Sequence, residues 1–289
     1  MKKKFPLLLS LLLFISLSVI AQSGKIIRFS SSNAMFPDTA RMNGHDYNGK
    51  HYDANTCYSD SSILIYIPKH FSSKKKVNYV FWFHGWGNNI DSACKQYDLL
   101  NQFDLSKRNA VFIFPEGPKN APDSYGGKLE QPAVFQNLMK EVISQLSRNK
   151  IIQYQPEFNI ANYNISLAGH SGAYRVISKI INFSPVNEVI LFDAMYGGND
   201  AYLQWLSIPK HRFINIYTKD GGTFENSHWI MQKLIDSLHM PFISINEEEI
   251  TESILQKQKK IFIYSKQAHN DVITYHHYWE MFLRWGDNE

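Results

Sequence analysis

One serine stands apart by its surroundings. Ser171 lies in Leu167-Ala168-Gly169-His170-Ser171-Gly172-Ala173, directly after the apolar run Asn164-Ile165-Ser166-Leu167. Ala173, Val176, Ile177, Ile180 and Ile181 follow at i, i+3, i+4, i+7 and i+8, the apolar stripe of a helix. A serine on a sharp turn between a buried strand and a helix has a chemical use. The turn lifts the hydroxyl clear of the sheet, and the helix N-terminus aims amide N–H groups at any oxyanion formed there. Small neighbours are required because the tight backbone leaves no room for side chains. The pattern is G-x-S-x-A where the usual form is G-x-S-x-G, so Ala173 adds one methyl at a crowded point. A plain strand–helix turn could contain a serine by chance; the strand before it and the helix after it argue for more.

A serine hydroxyl is a poor nucleophile near neutral pH. It needs a base within reach, and the base needs an orienting carboxylate. Of 11 histidines, His269 is the expected base. It sits in Lys266-Gln267-Ala268-His269-Asn270-Asp271, past the last strand-like run and before the last helical segment. His276 and His277 fall inside that segment and are expected to pack or face solvent. His84 is expected to brace its own loop, and His170 to pack beneath the serine.

Two carboxylates compete for the third place. Asp193 ends the run Val189-Ile190-Leu191-Phe192, and Asp220 lies in Thr218-Lys219-Asp220-Gly221-Gly222 after a further run. Lys-Asp-Gly-Gly is what an ordinary turn looks like. An aspartate closing an apolar strand carries a desolvation cost of several kcal/mol and needs a partner such as His269. Asp193 is therefore preferred, with Asp220 as the alternative.

Two further segments complete the pattern. Val77 to Phe83 reads as a strand ending in His84-Gly85-Trp86-Gly87, and Ala110 to Phe114 as another ending in Pro115-Glu116-Gly117. With these residues the chain resembles the α/β-hydrolase family from about Ser61 to its end. His-Gly-Trp-Gly looks like that family's oxyanion loop, and Gly169 to Ala173 like its nucleophile elbow. The resemblance implies an α/β fold with a mostly parallel central sheet flanked by helices. It also implies hydrolysis through a serine, acid and histidine in that chain order. The commoner family position for the acid favours Asp220, whereas pancreatic-lipase-like members place it where Asp193 stands. Backbone N–H groups of Trp86 and Gly172 are the implied oxyanion donors. The Trp86 indole either walls the pocket or packs into the core.

The elements that must position these groups are legible as alternating runs. Ser62 to Ile67, Val189 to Phe192, Phe213 to Tyr217, Phe242 to Ile245 and Ile261 to Tyr264 read as strands. Ile90 to Phe103, Pro132 to Leu146 and Glu225 to Leu238 carry helical periodicity, as does a last helix marked by Val272, Tyr275, Trp279 and Phe282. Strands alternating with helices predict a parallel sheet. Four strand-like runs follow Ser171 where the family core usually has three, so one is an addition. Residues 25–60 are expected to form a hairpin and a long loop over one sheet edge, with a weak strand at Ile26 to Phe29. The segments Glu116 to Glu130 and Tyr196 to Tyr202 are expected to face substrate, where their aromatics could stack on sugar rings.

Composition sets outer limits. The 289 residues are 44% hydrophobic and 14% aromatic, enough for one sizeable core. Lys2-Lys3-Lys4, the apolar stretch Leu8 to Ile20 and Val19-Ile20-Ala21 read as a secretory signal cleaved near Ala21. Its apolar run is shorter than the ~20 residues of a membrane span, and no stop-transfer pattern follows. Residues 22–289 are then expected to form a single domain, secreted or periplasmic. Removing the three leader lysines takes the formal charge from +4 to +1, which gives no case for nucleic acid or an anionic membrane as partner. In an exported chain Cys57 and Cys94 could pair as a disulfide or remain separate thiols. No cofactor is expected: there is no metal-ligand spacing and no phosphate-binding glycine loop. The expected function is a serine hydrolase acting on a carboxylic ester, either a small ester or an esterified polysaccharide. A peptidase or amidase on the same fold and a non-catalytic carbohydrate-binding relative are the alternatives.

Overall fold

The computed structural model describes residues 24–153, 157–182 and 185–286; the expected leader at 1–21 lies outside the described residues. Eleven strands are found among them. They are β1 (Lys25–Ser30), β2 (His45–Tyr47), β3 (Lys50–Tyr52), β4 (Ser62–Ile67), β5 (Asn78–Phe83), β6 (Ala110–Pro115), β7 (Asn164–His170), β8 (Val186–Phe192), β9 (Arg212–Thr218), β10 (Ile243–Asn246) and β11 (Lys260–Ser265). Nine form one sheet in the order β1-β4-β6-β5-β7-β8-β9-β11-β10, and β2 and β3 form a separate hairpin. The pairs β1–β4 and β4–β6 are antiparallel, and the others in the large sheet are parallel.

Period-two alternation places apolar side chains on both faces of this sheet, as parallel strands covered by helices require. On β5, Tyr79, Phe81 and Phe83 enter one core while Val80 and Trp82 enter the other. The first core is closed by helices Pro132–Arg148, Tyr174–Ile180, Asn199–Leu206 and Phe224–Asp236. The second is closed by Ile90–Gln96, Leu99–Leu105 and Tyr278–Arg284. In the 132–148 helix Leu138, Val142 and Leu146 of the expected stripe are fully buried. Strand order reverses around β5, β6 and β7, and such a switch point is where an open α/β sheet carries its ligand crevice, at the carboxyl ends of its strands.

Several expectations are revised. Ile90 to Phe103 is not one helix: Asp98, in the left-handed conformation with φ 49°, divides it in two. His276 and His277 also have positive φ, 49° and 56°, so they precede the last helix, which starts at Tyr278, instead of lying within it. The helix after the serine begins at Tyr174, with a tight 3-10 turn over Ser171–Ala173. Of the four strand runs after Ser171, β10 is the one added, since it lies outside β11 at the sheet edge. The N-terminal strand pairs with β4, but the 45–52 hairpin reaches further than an edge: Tyr47 meets Trp86 edge-on at 5.1 Å. Cys57 and Cys94 are free thiols, so of the two alternatives the disulfide is not formed.

Candidate active site

The sequence-singled residues converge at the carboxyl ends of the central strands. Ser171 follows β7 with φ 55°, a left-handed conformation that costs a non-glycine residue energy and recurs at functional turns. Two glycines make the turn possible. A Cβ on Gly85 would stand 2.6 Å from Ser171 Cβ and 3.2 Å from its Oγ. A Cβ on Gly169 would collide with the Ala173 methyl. The methyl that departs from G-x-S-x-G therefore occupies the space that Gly169 leaves open.

Asp193 follows β8, also with positive φ, 45°, and is completely buried. Its Oδ2 lies 2.6 Å from His269 Nδ1 and accepts from Thr218 Oγ1 at 2.8 Å. Its Oδ1 accepts from the Thr218 N–H at 2.9 Å and from Thr223 Oγ1. Burial alone would raise this carboxyl's pKa, but the bonds from His269, Thr223 and Thr218 outweigh it and hold the group below its ordinary value. A carboxylate on Nδ1 fixes the tautomer that leaves Nε2 free to take a proton. Asp220 is exposed in the turn after β9, and among the described residues it has no hydrogen-bond or ion-pair partner. The structure thus brings Asp193 to His269 and leaves Asp220 apart. Thr218 and Thr223 were not singled out from sequence. Thr218 ends β9 beside the strand that Asp193 closes, and that adjacency is a signal only once the sheet order is known.

The turn carrying His269 is pinned from below. His170 Nε2 donates to the His269 carbonyl at 2.9 Å, and the two rings lie 4.5 Å apart. Tyr97 Oη donates to Asn270 Oδ1 at 3.1 Å. Burial first, and the neighbouring His269 second, push the His170 pKa down to about 3, so it stays neutral.

The loop after β5 has its own brace. His84 Nδ1 donates to the Gly85 carbonyl at 2.7 Å, and its Nε2 lies 3.1 Å from Glu116 Oε1 at the end of β6. The Glu116 carboxylate also accepts from the Ile90 N–H at 3.2 Å, tying loop and helix start together. Among the described residues no protein acceptor takes the Trp86 backbone N–H. The Trp86 side chain lines the pocket; it is not part of the core.

Ser171, His269, Gly172, Trp86, Ser124, Tyr174, Tyr196, His170 and Asn270 enclose one pocket of about 580 Å³. Three aromatic side chains make its walls, and Tyr196 is fixed by a hydrogen bond to the Gly221 carbonyl. Ser124 from the 116–130 segment and Tyr196 from the 196–202 segment both face this space. Among the described residues no group of histidine, cysteine and acidic side chains could hold a metal ion. No helix among them is long and apolar enough to cross a membrane.

The strand order and the tight turn between β7 and the helix that follows it are those of an α/β-hydrolase fold. Solved structures of the same fold bear this out. The feruloyl esterase module from Clostridium thermocellum, solved as a mutant complexed with sinapinate, superimposes with a TM-score of 0.57 at 14% identity, covering 92% of this chain and 88% of that one. A ferulic acid esterase superimposes with a TM-score of 0.53 at 10% identity, covering 91% and 98%. No protein-family model matches the sequence, and no curated protein matches it.

Proposed function

We propose that this chain is a serine hydrolase that cleaves carboxylic esters, with Ser171 as nucleophile, His269 as base and Asp193 as the orienting acid. The observation that carries the proposal is the 2.6 Å contact of His269 with a buried, fourfold hydrogen-bonded Asp193, in the pocket that Ser171 enters from a left-handed turn. Ser171 Oγ attacks the ester carbonyl while His269 Nε2 takes its proton. The negative oxygen is received by the N–H groups of Trp86 and Gly172. Collapse of this state expels the alcohol, which takes the proton from His269. Water then cleaves the acyl-enzyme by the same steps.

The aromatic walls Trp86, Tyr174 and Tyr196 suit a flat or apolar acyl group. The feruloyl esterases of like fold support the same reading, and the substrate proposed is a small ester or an acylated polysaccharide. The leader at 1–21, with cleavage after Ala21, would deliver residues 22–289 as one domain to the periplasm or medium, where such polymers are met. Hydrolysis of p-nitrophenyl esters of graded acyl length, beside acetylated and feruloylated polysaccharides, tests the substrate class. The native protein should turn over at least one of them and Ser171→Ala none. A chain that binds these polymers and hydrolyses nothing would be the carbohydrate-binding relative instead.

A further inference from the structure

Trp86 is 46% exposed, yet its indole is fixed. Nε1 donates to Ser124 Oγ at 2.7 Å, and the Tyr47 ring abuts it. A Cβ on Gly172 would lie 2.7 Å from Ser124 Oγ and 2.8 Å from Trp86 Cδ1. Hydroxyl and indole edge are thus both set against the residue that follows Ser171, and Ser124 lines the pocket beside Ser171 and His269.

The hydrogen-bond inventory of Ser124 is incomplete within the protein. A serine hydroxyl offers two lone pairs and one hydrogen, whereas an indole N–H only donates. The Trp86 bond therefore uses a lone pair and leaves the hydrogen unspent. Among the described residues no protein acceptor takes it. The segment that carries Ser124 is held on both sides. Asp123 pairs with Arg41 at 2.7 Å, and the Tyr125 ring lies between the guanidinium groups of Arg41 at 4.8 Å and Arg175 at 4.9 Å. Tyr125 Oη donates to Asp38 at 3.0 Å. The hydroxyl therefore stands on a preorganised platform, which is what makes a donor effective towards charge that develops during reaction.

We propose that Ser124 is a third oxyanion donor, a side-chain group acting beside the backbone N–H groups of Trp86 and Gly172; the inference rests on the hydrolase reading above. As Ser171 Oγ bonds to the carbonyl carbon, the carbonyl π pair moves onto oxygen and the serine proton passes to His269. The Ser124 O–H donates to that oxygen and keeps its own proton. The relay from indole N–H to hydroxyl to oxyanion runs in one direction, so each donation strengthens the next. A contact that tightens only as charge forms raises kcat and leaves substrate binding nearly untouched.

Ser124→Ala should lower kcat by roughly 10²-fold, the low end for one oxyanion donor, for every ester the native protein turns over. KM should stay within about twofold, as expected for a bond made only in the transition state. A trifluoromethyl ketone forms a reversible tetrahedral oxyanion on the serine, and its inhibition constant should rise by the same factor. Ser124→Thr keeps a hydroxyl and should restore most of the rate. Matched melting temperatures exclude a folding defect. Native turnover in Ser124→Ala would overturn the inference. So would a loss confined to KM for particular acyl groups with the ketone's affinity unchanged, which would make Ser124 an ordinary pocket contact. Ser171→Ala, run alongside, separates the two levels. If it is active the reading of Ser171 as nucleophile falls; if it is inactive while Ser124→Ala is native-like, only the Ser124 role falls.

Discussion

Replacing Asp193 by asparagine probes the site with little change of shape. All four contacts at this carboxylate come from groups that donate: the His269 ring, the Thr218 N–H and hydroxyl, and the Thr223 hydroxyl. An amide offers one oxygen and one NH₂. The Thr218 backbone N–H cannot rotate, so the amide oxygen belongs at the Oδ1 position and the NH₂ faces His269 Nδ1 and Thr218 Oγ1. The threonine hydroxyl can turn and accept. The imidazole can accept on Nδ1 only by moving its proton to Nε2, and that tautomer cannot take the proton of Ser171. The precedent for this change in a serine protease is a loss of about 10⁴ in kcat. Tenfold corresponds to 1.36 kcal/mol, so the barrier rises by about 5 kcal/mol. The fold should lose less, roughly 1–3 kcal/mol, the cost of one imperfectly satisfied buried group. The assay is p-nitrophenyl acetate hydrolysis by Asp193→Asn and Asp220→Asn, each checked by circular dichroism and melting temperature. Asp220 is exposed and has no partner among the described residues, so its variant should match the native rate. A well-folded Asp193→Asn within tenfold of native turnover, or an inactive Asp220→Asn, would refute the reasoning.

Three further outcomes follow from the geometry. Gly85→Ala puts a methyl 2.6 Å from Ser171 Cβ, and displacing the nucleophile by about 1 Å should cost on the order of 10²-fold in turnover, read by steady-state kinetics. The His170 pKa is lowered from 6.5 to about 3, so the unfolded chain binds this proton first. Its contribution to stability is therefore full above about pH 6.5 and is lost as pH falls towards about 3. His170→Gln keeps an N–H for the His269 carbonyl but cannot titrate, so its melting temperature should fall less steeply over that range; an unchanged slope would show that other groups govern it. Both cysteines are free thiols, so thiol titration of the denatured chain should count two, and a reducing agent should leave the melting temperature where it was.

Ser171 and His269 were legible as candidate nucleophile and base because both are written locally. Ser171 is framed by small residues between two strongly periodic segments, and His269 falls between the last strand and the last helix. Asp193 was preferred to Asp220 on desolvation, and burial is indeed what separates them: one is sealed behind two threonines, the other lies in water. The threonines were hidden because their role depends on β8 and β9 being neighbours, a long-range pairing that no local pattern carries. Tyr47 and Ser124 were obscure for the same reason, since they meet at Trp86 from segments 38 or more residues away. The helix breaks at Asp98 and at His276–His277 were missed because apolar periodicity persists through one or two left-handed residues. Aspartate and histidine tolerate the left-handed conformation but also occur within helices, so neither flags a break as glycine would.

The central claim is that Ser171 is an activated nucleophile. It is met most directly by treating the protein with a fluorophosphonate and mapping the adduct by peptide mass spectrometry. One covalent phosphonyl group should be found, on the peptide that contains Ser171, with labelling abolished in Ser171→Ala and strongly slowed in Asp193→Asn. A folded native protein that stays unlabelled, or one labelled at another serine, would contradict the account.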